Sequence, residues 1–160
     1  MDKWVTLEEK IADYEVLLKQ LEALFFDERD KIANLSNSSA LLNQFLPDTV
    51  FAGYYLFNGE ELVLGPFQGG VSCVRIKLGK GVCGISAKEK KTVIVDDVKK
   101  FANYISCDAA AKSEIVVPLL QGDKLLGVLD IDAGVTEAYD EVDEKYLGKF
   151  AEKLVALTDF

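Results

Sequence analysis

The chain has 160 residues, 49% of them hydrophobic and 28% charged, a composition suited to one domain with a closed core. Eighteen basic residues against 27 acidic ones give a formal charge of -9, which argues against nucleic acid and anionic membrane as partners, since both need clustered positive charge. Histidine is absent, so Ser-His and Cys-His pairs, imidazole bases and His-containing zinc sites are excluded at once.

In chain order, residues 7–26 carry apolar side chains at helical spacing, among them Ile11, Tyr14, Leu17, Leu18 and Leu21. Thr6 is placed to cap this helix, with Glu9 three residues on as in a capping box. A second helical stretch begins near Glu28. Its polar run Ser36-Asn37-Ser38-Ser39 reads either as a solvated face or as a brief break before Leu41, and Pro47 stops the helix. From Val50 the pattern becomes aromatic and β-branched. Val50–Phe57 and Glu61–Leu64 flank Asn58-Gly59, a strong hairpin signal. Further strands are expected at Ser72–Leu78, Lys91–Val95, Glu114–Leu119 and Leu125–Ile131. The last two are nearly continuous apolar runs, as in strands covered on both faces. Leu147–Leu157 closes the chain as an amphipathic helix starting near Asp140. The order predicts an α+β domain over 1–160: helices over 1–46, then five or six mainly antiparallel strands with a C-terminal helix over 47–160.

No apolar run reaches the ~20 residues needed to span a bilayer. The start Met-Asp-Lys-Trp-Val-Thr lacks the basic and apolar regions of a secretion signal, so a cytoplasmic setting is expected. Cys73, Cys83 and Cys107 are odd in number and without a C-x-x-C pair, which suits neither a structural disulfide framework nor a zinc site. Gly79-Lys80-Gly81-Val82-Cys83-Gly84 matches G-x-G-x-x-G, but Ile85–Lys90 leaves room for only a turn or two of helix, against a dinucleotide fold. A tight glycine turn fits better, and amides at the start of a short helix would suit a small carboxylate. Cys107 lies between two strands, where a following helical turn would favour its thiolate and the adjacent Asp108 would oppose it. Asp130 and Asp132 stand two apart and share one face of a strand end, which invites a retained proton or a cation, or else entry into solvent. Glu114 opens the preceding strand.

These segments, together with Leu46-Pro47-Asp48, Gly53-Tyr54-Tyr55-Leu56, Leu64-Gly65-Pro66-Phe67-Gln68-Gly69, Cys73-Val74-Arg75-Ile76, Cys107-Asp108, Ser113-Glu114-Ile115-Val116-Val117-Pro118 and Gly127-Val128-Leu129-Asp130-Ile131-Asp132, resemble the free methionine-(R)-sulfoxide reductases, a family built on the GAF fold. The resemblance implies reduction of free L-methionine (R)-S-oxide, with Cys107 as nucleophile, Cys73 resolving its sulfenic acid, and Cys83 as a second thiol able to pair with Cys107. It leaves the division of labour between Cys73 and Cys83 open. It also implies Glu114, Asp130 and Asp132 around the substrate ammonium and the sulfoxide oxygen, and Phe51 and Tyr55 as an aromatic wall near the S-methyl group. Phe51 stands where the family usually has tryptophan, and Tyr104 where histidine is common. Thioredoxin is the expected reductant, no cofactor or metal is implied, and the N-terminal helices offer a homodimer surface. The competing reading is a GAF domain that binds a small ligand without chemistry.

Overall fold

The computed structural model describes residues 3–160; the first two residues of the stretch read for a secretion signal lie outside it. Helices α1 (Leu7–Leu24) and α2 (Lys31–Phe45) lead into strands β1 (Thr49–Phe57), β2 (Glu61–Gly69) and β3 (Arg75–Lys77). Helix α3 (Gly81–Glu89) and β4 (Val93–Val95) follow. A single 3-10 turn at Val98–Lys100 precedes β5 (Ser113–Gln121), β6 (Lys124–Ala133) and α4 (Glu141–Ala156). All six strands join one antiparallel sheet in the order β3-β2-β1-β6-β5-β4. This is the expected α+β architecture, with β1 and β6 at its centre. No helix among the described residues is long and apolar enough to cross a membrane.

Strand alternation divides the sheet into two chemically different faces. Ala52, Tyr54, Ile115, Val117, Leu119, Leu129 and Ile131 face α1, α2 and α4 and form the larger core with Leu17, Leu21, Leu35, Phe150 and Leu154. Phe51, Tyr55, Val116 and Val128 face the other way and pack with Val82, Cys83 and Ala87 of α3. The carboxyls Glu114, Asp130 and Asp132 share the parity of this second face.

Several local expectations change. Thr6 accepts from the Glu9 amide at 3.1 Å, but the Glu9 carboxylate takes the Val5 amide, not that of Thr6, so only half of the capping box forms. The serine run is no break, and only its first half, Ser36 and Asn37, is a solvated face. Helix α2 passes through it, and Ser38 and Ser39 are fully buried. Their hydroxyls are satisfied by the Leu35 carbonyl and by Tyr54 Oη, 2.7 Å from Ser38 Oγ, which removes the cost of burying them. Strand β3 holds only three residues, its ladder with β2 covering Glu61–Val63 and ending in a bond from the Leu64 amide to the Val74 carbonyl; Cys73 therefore sits in the preceding loop. The hairpin turn forms as expected, with Asn58 Oδ1 accepting from the Glu60 and Glu61 amides and Gly59 at a φ of 95°.

Candidate active site

The second face of the sheet carries a cavity of about 380 Å³, counted out to its open mouth. The β-ladder builds its floor. Asp132 of β6 lies opposite Glu114 of β5 on one side and Phe51 of β1 on the other, while Asp130 lies opposite Val116 and Gly53. Glu114, Asp130 and Asp132 are 6%, 5% and 8% exposed, so the strand end does not enter solvent. Helix α3 forms one wall. It starts at Gly81 itself, where a φ of 63° turns the chain inward, and beyond the glycines it runs only to Glu89, the turn or two expected. A Cβ on Gly84 would lie 2.4 Å from the Lys77 carbonyl oxygen, so that glycine seats α3 directly on β3. This places Cys83, one position earlier, over the carboxyls: its Sγ is 3.9 Å from Glu114 Oε2.

Cys73 and Cys107, 34 residues apart, are joined by a disulfide with a Cα–Cα distance of 5.2 Å, and Cys83 is a free, buried thiol. Cys107 lines the cavity with Tyr55, Tyr104, Ile105 and Lys80. No helical turn follows Cys107. Instead Asp108 folds its own loop, accepting from the Ala110 amide through Oδ1 and from the Ala111 amide through its carbonyl. Tyr55 donates its hydroxyl to the Cys73 carbonyl at 2.9 Å, linking the sheet to the disulfide loop. Phe51 is not among the cavity-lining residues. It is fully buried behind Tyr55, stacked on Phe67 at 5.1 Å. The resemblance assigns no role to Lys80 or Ser72, which also line the cavity; Lys80 lies in the glycine turn suited to a carboxylate, whereas Ser72 opens a stretch expected as a strand and carries no such signal.

Burial raises all three carboxyl pKa values, and mutual repulsion raises those of Glu114 and Asp132 further. Burial and the same carboxylates push the Cys83 thiol well above its ordinary value. Asp130 Oδ1 and Asp132 Oδ1 have no hydrogen-bond partner. The floor therefore has the chemistry of a cation or proton receptor, set under a disulfide-bonded pair of cysteines. One thiol, one carboxyl of Glu114 and one of Asp130 have ligand atoms within 4.8 Å of one another.

A six-stranded antiparallel sheet with a buried acidic cavity and a cysteine pair at that cavity defines a small-molecule domain with thiol chemistry. Residues 38–157 match the GAF domain family. The chain is 52% identical over 148 residues to protein YtsP of Bacillus subtilis, covering 91% of each. It is 43% identical over 154 residues to the free methionine-R-sulfoxide reductase of Escherichia coli, covering 94% of this chain and 93% of that one. The X-ray structure of free methionine-R-sulfoxide reductase from Neisseria meningitidis in complex with its substrate superposes with a TM-score of 0.89 at 41% identity, over 92% of this chain and 89% of that one. The chain belongs to the GAF domain family, in the group that contains the free methionine-R-sulfoxide reductases.

Proposed function

We propose that this protein reduces free L-methionine (R)-S-oxide to L-methionine, using Cys107 as nucleophile and Cys73 to form the disulfide. The observation that carries the reading is the Cys73–Cys107 bond beside a floor of three buried carboxyls. The Cys107 thiolate attacks the sulfoxide sulfur, and a protonated carboxyl delivers a proton to the oxygen as the S–O bond weakens. Methionine leaves and Cys107 becomes a sulfenic acid. The Cys73 thiol then displaces water from that sulfur, so one sulfoxide is reduced for two thiols oxidised. A protein dithiol of the thioredoxin class attacks the disulfide and restores both thiols. The resting enzyme works in a thiol-reducing compartment such as the cytoplasm.

Shape and charge favour the free amino acid. The unpartnered oxygens of Asp130 and Asp132 suit an ammonium group, and the first amides of α3 with Lys80 suit a carboxylate. A methionine residue within a peptide has neither charge. Cys107 attacks only as a free thiolate, so reduction of the disulfide precedes each turnover. Tyr104 lines the cavity where histidine is common in the family, and proton delivery then rests on the carboxyls.

The test is NADPH consumption with thioredoxin, thioredoxin reductase and separated methionine sulfoxide diastereomers. Turnover is expected for the free (R) form, with none for the (S) form or for N-acetylated substrate, and loss of turnover in Cys107→Ser. Inactivity of the native chain on the (R) form overturns the reading, and full activity of Cys107→Ser overturns the assigned nucleophile.

A further inference from the structure

The proposed cycle leaves Cys83 without a task. Its thiol is 4% exposed, stays outside the disulfide and points at the acidic floor. Its Sγ and an oxygen each from Glu114 and Asp130 lie within 4.8 Å of one another, and the unpartnered Asp130 Oδ1 and Asp132 Oδ1 belong to side chains more than nine-tenths buried. Carboxylates offer no donors to each other, so these oxygens lack a partner until a proton or a cation sits among them. Tetrahedral zinc, with bonds of about 2.3 Å to sulfur and about 2.0 Å to oxygen, needs a sulfur–oxygen separation of roughly 3.5 Å. The Cys83–Glu114 separation is 3.9 Å, within a small side-chain adjustment of that value. A thiolate beside carboxylates selects a borderline-soft ion over magnesium or calcium, which prefer all-oxygen sites.

We propose that Cys83, Glu114 and Asp130 form a binding site for zinc-class divalent ions, with Asp132 or a water as fourth ligand, and that the bound ion inhibits the enzyme by occupying the seat of the substrate ammonium. Ion binding stands on the donor set alone; only the inhibition rests on the proposed reductase activity. Because Cys83 is outside the disulfide, the site exists in both redox states, and the oxidised protein isolates it: there Cys83 is the one free thiol of the chain's three cysteines.

The test uses the full chain in its disulfide form, titrated with cobalt(II) as a spectroscopic stand-in. A thiolate-to-cobalt charge-transfer band with four-coordinate visible bands is expected, abolished by one equivalent of zinc and unaffected by a hundredfold excess of magnesium. Asp130→Asn should weaken binding at least about tenfold. The Cys73→Ser/Cys107→Ser chain, which keeps Cys83, should retain the band, so the result does not depend on Cys83→Ser folding. No band at millimolar cobalt, displacement by magnesium, or loss of the band in the double-serine chain overturns the site. In the reduced enzyme zinc should raise the apparent KM for methionine sulfoxide at constant kcat. Binding without such competition overturns the inhibition, whereas a chain inactive without metal that still shows the band leaves the site standing and refutes the reductase reading instead.

Discussion

Opening the Cys73–Cys107 bond should destabilise the folded chain by about 3.8 kcal/mol. The bond closes a loop with a sequence separation of 34. The entropy it removes from the unfolded chain, 2.1 + 1.5R ln n in cal/mol/K, comes to about 12.6 cal/mol/K for this loop, or about 3.8 kcal/mol at 25 °C. A chain of this size shifts its Tm by roughly 2–4 °C per kcal/mol, so the oxidised form should melt about 8–15 °C above the reduced form. By the same thermodynamic cycle, the fold holds the bond about 80 mV more reducing than the same pair in the unfolded chain. The assay is urea and thermal unfolding of the oxidised chain against the chain reduced with a phosphine, followed by circular dichroism. Mildly acid pH keeps the buried Cys83 thiol from exchanging, since only the thiolate attacks a disulfide. Cys73→Ser should melt with the reduced form. Equal melting of the two redox states, or a lower Tm for the oxidised one, would refute the argument by showing that the native loop resists closure as strongly as the unfolded chain is constrained by it.

Gly84→Ala sets a methyl group 2.4 Å from the Lys77 carbonyl, so α3 must leave β3; unfolding should show a loss of at least roughly 2 kcal/mol, with kcat falling as Cys83 and Gly81 move, and a wild-type melting curve would refute the contact. Tyr54→Phe removes one partner of the buried Ser38 pair while leaving the serine its Leu35 carbonyl, so a cost of about 1 kcal/mol is expected by urea titration. The pH dependence of stability follows from the acidic floor. Folding raises the pKa values of Glu114, Asp130 and Asp132, so their contribution is complete below the unfolded values near pH 4 and is lost as pH rises through the folded ones. Burial first, and mutual repulsion for Glu114 and Asp132, oppose ionisation of this floor, so stability should fall as pH rises from about 5 toward 8. Glu114→Gln should flatten that slope, and a wild-type stability that climbs over this range would contradict it.

Much of the architecture is legible in local pattern. The stripe of Tyr14, Leu17, Leu18 and Leu21 gives α1, Asn58-Gly59 gives the hairpin, and the alternation Val128-Leu129-Asp130-Ile131-Asp132 gives both the strand and the shared face of its carboxyls. What escapes local pattern depends on distant partners. Ser38 and Ser39 look solvated until Tyr54 and the Leu35 carbonyl are placed beside them. The shortness of β3 depends on where β2 ends its pairing, and the absence of a helical turn after Cys107 depends on the loop Asp108 builds. Phe51 has the parity of the site face, yet Phe67 and Tyr55 enclose it, and no periodicity reveals which of two aromatic neighbours reaches a cavity.

The amino-acid sequence by itself determined the reagents: three thiols, no imidazole, and carboxyls spaced two apart on a buried strand. Periodicities of 3.6 and 2.0 are local, so they were enough to set helices, strands and faces. The tertiary structure alone decided the pairing, bringing Cys107 to Cys73 across 34 residues and leaving Cys83 over the acidic floor. That choice rests on the ladder register that sets Glu114 opposite Asp132 and on the close seating of Gly84 against Lys77. Both are contacts between segments far apart in the chain, whose free energy appears only once the sheet has closed.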